Sequence, residues 1–226
     1  MSDAPKLIVF DVDGTLVDSQ ADIVASMGAA FADAGQPAPA RTDVLGIIGL
    51  SLDQAIGKLA PQVDAEVLSR MVAAYKDAYV ALRARDGAES TSPLYPGVRA
   101  MLERLKARDD VLLGVATGKS RRGLDALLEG HGLTGFFVTE QVSDFHPSKP
   151  HPSMLETCLD ETGALASEAA MIGDTSYDMD MARAAKFGAV GVSWGYHPVS
   201  RLQADVVIDT IEDLPGALGR IWKGWA

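Results

Sequence analysis

The apolar run Leu7-Ile8-Val9-Phe10 breaks off in Asp11-Val12-Asp13-Gly14-Thr15. Two carboxylates ending a strand-length apolar run are costly to bury unless paired, hydrogen-bonded or bound to a metal. Residues two apart on a strand share a face, so Asp11 and Asp13 point the same way. At the rim of a parallel sheet such a pair suits a hard divalent cation and phosphate chemistry. The same residues also fit a strand that simply runs into an Asp-Gly turn. Other strand ends of the chain bear on that choice.

A second apolar run, Val111 to Ala116, ends in Thr117-Gly118-Lys119, with Ser120 placed to cap a helix. A threonine hydroxyl and free backbone N–H groups at a helix start form an anion site, although Thr-Gly-Lys is also an ordinary turn. A third run, Ala169 to Ile172, ends in Gly173-Asp174-Thr175-Ser176-Tyr177-Asp178. Taken singly, Asp174 could be a helix N-cap and Asp178 a first-turn partner of the helix dipole. That does not explain why a second strand also ends in acid. Lys149 lies in Pro147-Ser148-Lys149-Pro150-His151-Pro152, where flanking prolines hold the loop. A fixed cation there would stabilise both a nucleophilic aspartate and the charge of a phosphate; a solvated loop lysine is the plainer alternative.

These residues need a sheet to bring them together, and the pattern supplies one. Short aliphatic runs recur at 7–10, 111–116, 136–138, 169–172, 189–192 and 206–208, with little alternation, as in strands buried on both faces. Helices fall between them: one from Pro96-Gly97 to Ala107, another capped by Ser120, reaching His131 and stopping at Gly132. A βαβα rhythm implies an α/β fold with a parallel sheet flanked by helices. Residues 17 to 92 break the rhythm. They carry only helical stripes, Ile23-Met27-Ala30-Ala34 and Leu68-Met71-Val72-Tyr75-Tyr79-Leu82, plus a Ser51–Gln54 capping box. A polar stretch, Asp86 to Pro93, reads as a return linker. The insertion emerges beside the Asp11–Asp13 strand end and is expected to hang over it as a lid.

The composition, 47% hydrophobic and 23% charged, is that of a globular protein with a substantial core. Twenty basic against 31 acidic residues give a net charge of -11, which argues against a nucleic-acid or anionic membrane surface. Cys158 stands alone, so no internal disulfide framework exists, and a reducing cytoplasm is the expected compartment. No leader is expected at Met1–Lys6 and no transmembrane helix anywhere.

Taken together, Asp11-x-Asp13-Gly14-Thr15, Thr117, Lys149 and Gly173-Asp174-x3-Asp178 resemble, in this order, the four motifs of the haloacid dehalogenase superfamily. The resemblance spans the chain and implies a Rossmann-like core at 1–16 and 93–226, with residues 17–92 as a C1-type cap. It implies Asp11 as the nucleophile forming an aspartyl-phosphate, and Asp13 as the acid and base. Thr117 and the Gly118 N–H would hold the phosphoryl oxygens, with Lys149 neutralising charge. Mg²⁺ would be bound by Asp11, the Asp13 carbonyl and Asp174, with Asp178 in support.

Asp13 separates phosphoryl enzymes of the superfamily from its dehalogenases. The β-phosphoglucomutase branch carries a histidine just after the first motif and a basic motif in its cap. Here those segments read Val17-Asp18-Ser19-Gln20 and Gly46-Ile47-Ile48-Gly49-Leu50-Ser51. Lys58 fits no defensible pattern for the cap lysine of the phosphonoacetaldehyde hydrolases. Tyr95-Pro96-Gly97-Val98, Ser193-Trp194-Gly195-Tyr196-His197, Ala204-Asp205-Val206-Val207-Ile208 and Ile211-Glu212-Asp213-Leu214 resemble phosphoglycolate phosphatases. The expected activity is therefore hydrolysis of a small phosphorylated metabolite, 2-phosphoglycolate first, by a monomer or homodimer. A sugar phosphomutase and a non-enzymatic, receiver-like phospho-acceptor module remain the alternatives. His131, His146, His151 and His197 are assigned to surface or loops, with His197 able to line the site mouth. Cys158 is assigned to core, and Trp222 and Trp225 to anchoring the last helix.

Overall fold

The computed structural model describes residues 5–222 and Trp225; Met1–Ala4, part of the segment where no leader is expected, lie outside them. Strand β1 (Lys6–Phe10) is followed by five helices: α1 (Gln20–Asp33), α2 (Arg41–Leu45), α3 (Leu52–Leu59), α4 (Ala65–Asp86) and α5 (Ala88–Thr91). The alternation then resumes with α6 (Val98–Lys106), β2 (Val111–Thr117), α7 (Arg121–Gly130), β3 (Thr139–Val142), α8 (Ser153–Thr162), β4 (Ala169–Gly173), α9 (Ser176–Ala184), β5 (Gly188–Val192), β6 (Val206–Ile208) and α10 (Leu214–Ile221). All strand pairs are parallel, in the order β3-β2-β1-β4-β5-β6.

Period-2 geometry explains the two layers around this sheet. Ile8 and Phe10 pack with α6, α7 and α10 on one face. Leu7 and Val9 pack with α8 and α9 on the other, where Cys158 is fully buried. Helices α1 to α4 have their own apolar core, including Ile23, Met27, Phe31, Val44, Ile56 and Met71, with α4 laid along α1. The chain leaves and re-enters the sheet domain side by side: Asp18 N–H donates to Pro93 O at 2.9 Å, Tyr95 N–H to Leu16 O at 3.0 Å, and Val17 bridges Leu94. Trp222 is buried and its ring meets Trp225 edge-on at 5.2 Å at the end of α10. Among the described residues no helix is long and apolar enough to cross a membrane.

The structure corrects four local expectations. The third strand is Thr139–Val142, not 136–138. Phe137 turns into the core, whereas the Val138 side chain is 59% exposed. The ladder instead runs through Thr139 and Gln141, whose buried polar groups are satisfied by Glu161 at 2.6 and 2.8 Å. Ser51 precedes α3 in extended backbone but makes no capping bond; its N–H is taken by Ser148 Oγ at 2.8 Å, across to the sheet domain. A reciprocal capping box forms at Thr175–Asp178. The return linker is partly helical, and Ser92 is fully buried with its carbonyl accepting from His131 Nε2 at 2.9 Å. His131 and His197 do lie in loops, but buried there and not at the surface.

Candidate active site

β1 is central, and the chain proceeds from it to β2 and β3 on one side and to β4, β5 and β6 on the other. The crevice beyond the carboxyl ends at such a reversal is where open α/β sheets bind ligands. Asp11 follows β1, Thr117 ends β2 and Asp174 follows β4, so ladder register alone brings three of the expected residues to one rim. Asp11 N–H continues the ladder to Ile172 O at 2.9 Å.

Lys149 arrives from the loop before α8 and is almost fully buried, at 1% exposure. Its ammonium donates to Asp11 Oδ1 and to Asp178 Oδ1, each at 2.7 Å. It is not a solvated loop lysine. Burial favours the neutral amine, but Asp11 and Asp178 outweigh it and hold the lysine charged. Asp178 spends its other oxygen on Thr175, N–H at 3.0 Å and hydroxyl at 2.7 Å, so it serves the helix cap and the cluster together. Asp174 accepts from the Thr15 hydroxyl at 3.2 Å and the Tyr196 N–H at 2.8 Å. Gly14 has φ +84°, and a Cβ there would lie 2.2 Å from Asp174 Oδ2, so only glycine lets the first acidic segment pass the third.

Asp11, Asp174 and Asp178 offer oxygens within 4.8 Å of one another, all buried. Burial, opposed by Lys149 and reinforced by Asp178, pushes Asp11 up to about 7. Burial and the charges of Asp178 and Asp11 push Asp174 well above the carboxylate range. Asp11 Oδ2 has no hydrogen-bond partner although it is buried. One ammonium among three buried carboxylates leaves excess negative charge, and an all-oxygen donor set of this kind fits a hard divalent cation. The Asp13 side chain lies outside this group.

Asp13 instead meets Lys119. The Lys119 ammonium lies 2.7 Å from Asp13 Oδ1 and donates to the Tyr79 hydroxyl of α4 at 3.1 Å. The Ser19 hydroxyl also donates to Asp13 Oδ1, and Ser19 N–H is held by the Tyr196 hydroxyl at 3.0 Å. Lys119, Ser19 and Tyr196 were not singled out from the sequence. Lys119 had a signal, a cation in the strand-end turn that carries Thr117; Ser19 had none, because only the fold brings it beneath Asp13. Thr117 is fully buried, its hydroxyl accepting from Lys119 N–H at 3.2 Å. A Cβ on Gly118 would fall 2.6 Å from Leu50 O, so the 46–51 loop of the helical insertion rests directly on the Thr117–Lys119 turn. The same loop is held at the Gly46 carbonyl by the Tyr177 hydroxyl at 3.1 Å and His197 Nε2 at 3.2 Å. His197 thus braces the roof. Lys58 sits over the Tyr177 ring at 5.1 Å, on the exposed side of α3. Between sheet and insertion lies a cavity of about 620 Å³, with Asp11, Asp13, Thr117, Gly118 and Lys119 at its floor.

The family model for haloacid dehalogenase-like hydrolases matches residues 8–192. The chain belongs to this family. It is 36% identical over 223 residues to the probable phosphatase IndB of Dickeya dadantii (strain 3937), covering 96% of this chain and 95% of that one. It is 33% identical over 224 residues to a phosphoglycolate phosphatase of Aliivibrio fischeri, covering 94% and 96%. Among solved structures, a predicted phosphoglycolate phosphatase from Haemophilus somnus 129PT superposes with a TM-score of 0.80 at 27% identity, covering 95% and 97%. A β-phosphoglucomutase from Clostridium difficile has the same fold, with a TM-score of 0.80 at 17% identity. As a haloacid dehalogenase-like hydrolase with phosphatase relatives, the protein is a phosphoric monoester hydrolase.

Proposed function

We propose that the protein is a Mg²⁺-dependent phosphatase that hydrolyses a small phosphate monoester through an aspartyl-phosphate on Asp11. One observation carries the reading: at the floor of the cavity Asp11 has one oxygen fixed by Lys149 at 2.7 Å and the other buried without a partner. A carboxylate so held presents one free oxygen in a fixed direction. That oxygen attacks phosphorus while the bond to the leaving alkoxide breaks, and Asp13 gives the alkoxide its proton. Asp13 then takes a proton from water, whose oxygen attacks phosphorus and displaces Asp11. Thr117 and Gly118 hold the phosphoryl oxygens in both steps, and Lys149 favours the ionised form of Asp11 against its burial. Asp11, Asp174, Asp178 and the Asp13 carbonyl would hold the Mg²⁺, which when bound supplies charge neutralisation between anionic ester and anionic nucleophile.

2-Phosphoglycolate, named by several relatives, is the first substrate to test. Release of inorganic phosphate with and without Mg²⁺, in wild type and Asp11→Asn, tests the reading. Mg²⁺-dependent release abolished by Asp11→Asn supports it. Conversion of a sugar phosphate to its isomer without release would make the protein a mutase, and an acyl-phosphate stable for hours would make it a phospho-acceptor module.

A further inference from the structure

The cavity is far too large for a phosphoryl group and a carboxymethyl, and its two halves differ in chemistry. At about 620 Å³ it lies in the range that holds drug-sized ligands. Its floor carries the polar groups described above. Its roof, made by the helical insertion, is Ile23 and Met27 of α1, Ile48 and Leu50 of the 46–51 loop, and Val72 and Tyr75 of α4.

Four cations line the cavity: Lys76, Arg83, Lys119 and Arg122. The Lys119 ammonium is shared between Asp13 and Tyr79. Arg83 donates through Nη1 to Gly123 O at 3.1 Å, and its Nε and Nη2 are buried without a partner. Lys76 and Arg122 are exposed. A carboxylate next to the phosphoryl group would be stripped of water, which is costly, and would have to draw on the unpartnered Arg83 nitrogens or on the exposed Lys76 and Arg122. A hydrocarbon group would lose water against an apolar wall, which is favourable by about fourfold in affinity per buried methylene.

We propose that the preferred substrate is a phosphate monoester of an alcohol with a bulky apolar or aromatic body, seated against Ile23, Met27, Ile48, Val72 and Tyr75. The inference rests on the phosphatase reading and narrows its substrate class.

The test is kcat/KM, with Mg²⁺, for ethyl, n-butyl and 2-phenylethyl phosphate and 2-phosphoglycolate. All leave as primary alkoxides, so proton demand is comparable and the organic body is what varies. The expected result is a rise of about tenfold or more from ethyl to butyl, with 2-phenylethyl phosphate above 2-phosphoglycolate. Val72→Asp, which puts charge into the wall, should flatten the dependence on chain length; Val72→Thr repeats the measurement if the aspartate does not fold. A flat series in wild type, a slope that survives in these variants, or 2-phosphoglycolate as the best substrate each overturns the proposal. The last result would leave the phosphatase reading intact and point to the unpartnered nitrogens of Arg83. No turnover of any ester would remove the reading and this inference together.

Discussion

Lys119 and Asp13 form an ion pair of 2.7 Å at the floor of the cavity, and the same ammonium reaches across to Tyr79 of the helical insertion. The proposed acid is thus oriented from the sheet domain while the residue orienting it is tied to the roof. Lys119→Met should lower kcat about 10²-fold for an alkyl phosphate, the scale of a displaced general acid. The loss should be several-fold smaller for 4-nitrophenyl phosphate, whose leaving group needs no proton. Equal losses for the two esters would place Lys119 outside the protonation step.

Lys149 is the sole cation in contact with Asp11 and Asp178 among the described residues. Removing one partner of a buried ion pair typically costs about 3–5 kcal/mol, because the charge left behind has no counterion. Lys149→Met should therefore unfold at markedly lower denaturant and lose turnover. Added Mg²⁺ should restore part of the stability without restoring activity. Chemical denaturation with and without Mg²⁺ measures the first, and phosphate release the second.

Binding a cation to Asp11, Asp174 and Asp178 stabilises the folded state by mass action, about 2.7 kcal/mol at a hundredfold excess over Kd. A rise of Tm with Mg²⁺ is expected in wild type. Asp174→Asn can still accept from Tyr196 N–H, so it should fold yet show most of that rise abolished. An unchanged Mg²⁺ response would move the metal away from this cluster.

His131 is buried against the Ser92 carbonyl, and burial holds its pKa below the ordinary histidine value. The unfolded chain then binds more protons than the folded one near and below about pH 6.5. This contribution is complete above that pH and is lost as the pH falls toward the depressed folded value. His131→Gln, which keeps a donor and cannot take up the proton, should lose less Tm than wild type between pH 7.5 and 5.5. Parallel curves would remove His131 as a source of acid sensitivity.

Much of the site could be read before any fold was known, because its residues stand at strand ends. Register carries Asp11, Thr117 and Asp174 to one rim once the runs are recognised as parallel strands. Lys149 was legible as a held cation from its prolines, though its pairing with Asp178 was not. The partners of Asp13 are Ser19 and Lys119; Lys119 stands in the strand-end turn, but Ser19, and the Tyr79 of α4 that holds Lys119, are placed only by how the insertion seats, and no local pattern marks them. The third strand was misplaced for a related reason. Its polar Thr139 and Gln141 are made acceptable by Glu161 on α8, a contact that hydropathy along the strand cannot register.

The two crossings between sheet domain and insertion are bonded neighbours, through Val17, Asp18, Pro93 and Leu94. An insertion whose ends already touch is topologically a cassette. It can be lengthened, reshaped or exchanged without altering a single strand pairing, because the gap it spans in the sheet domain is one backbone contact wide. Joining Asp18 directly to Pro93 by a short turn should leave a chain that still builds the six-stranded sheet. On such a frame the roof of the cavity can change while Asp11, Thr117 and Asp174 stay where the strands put them.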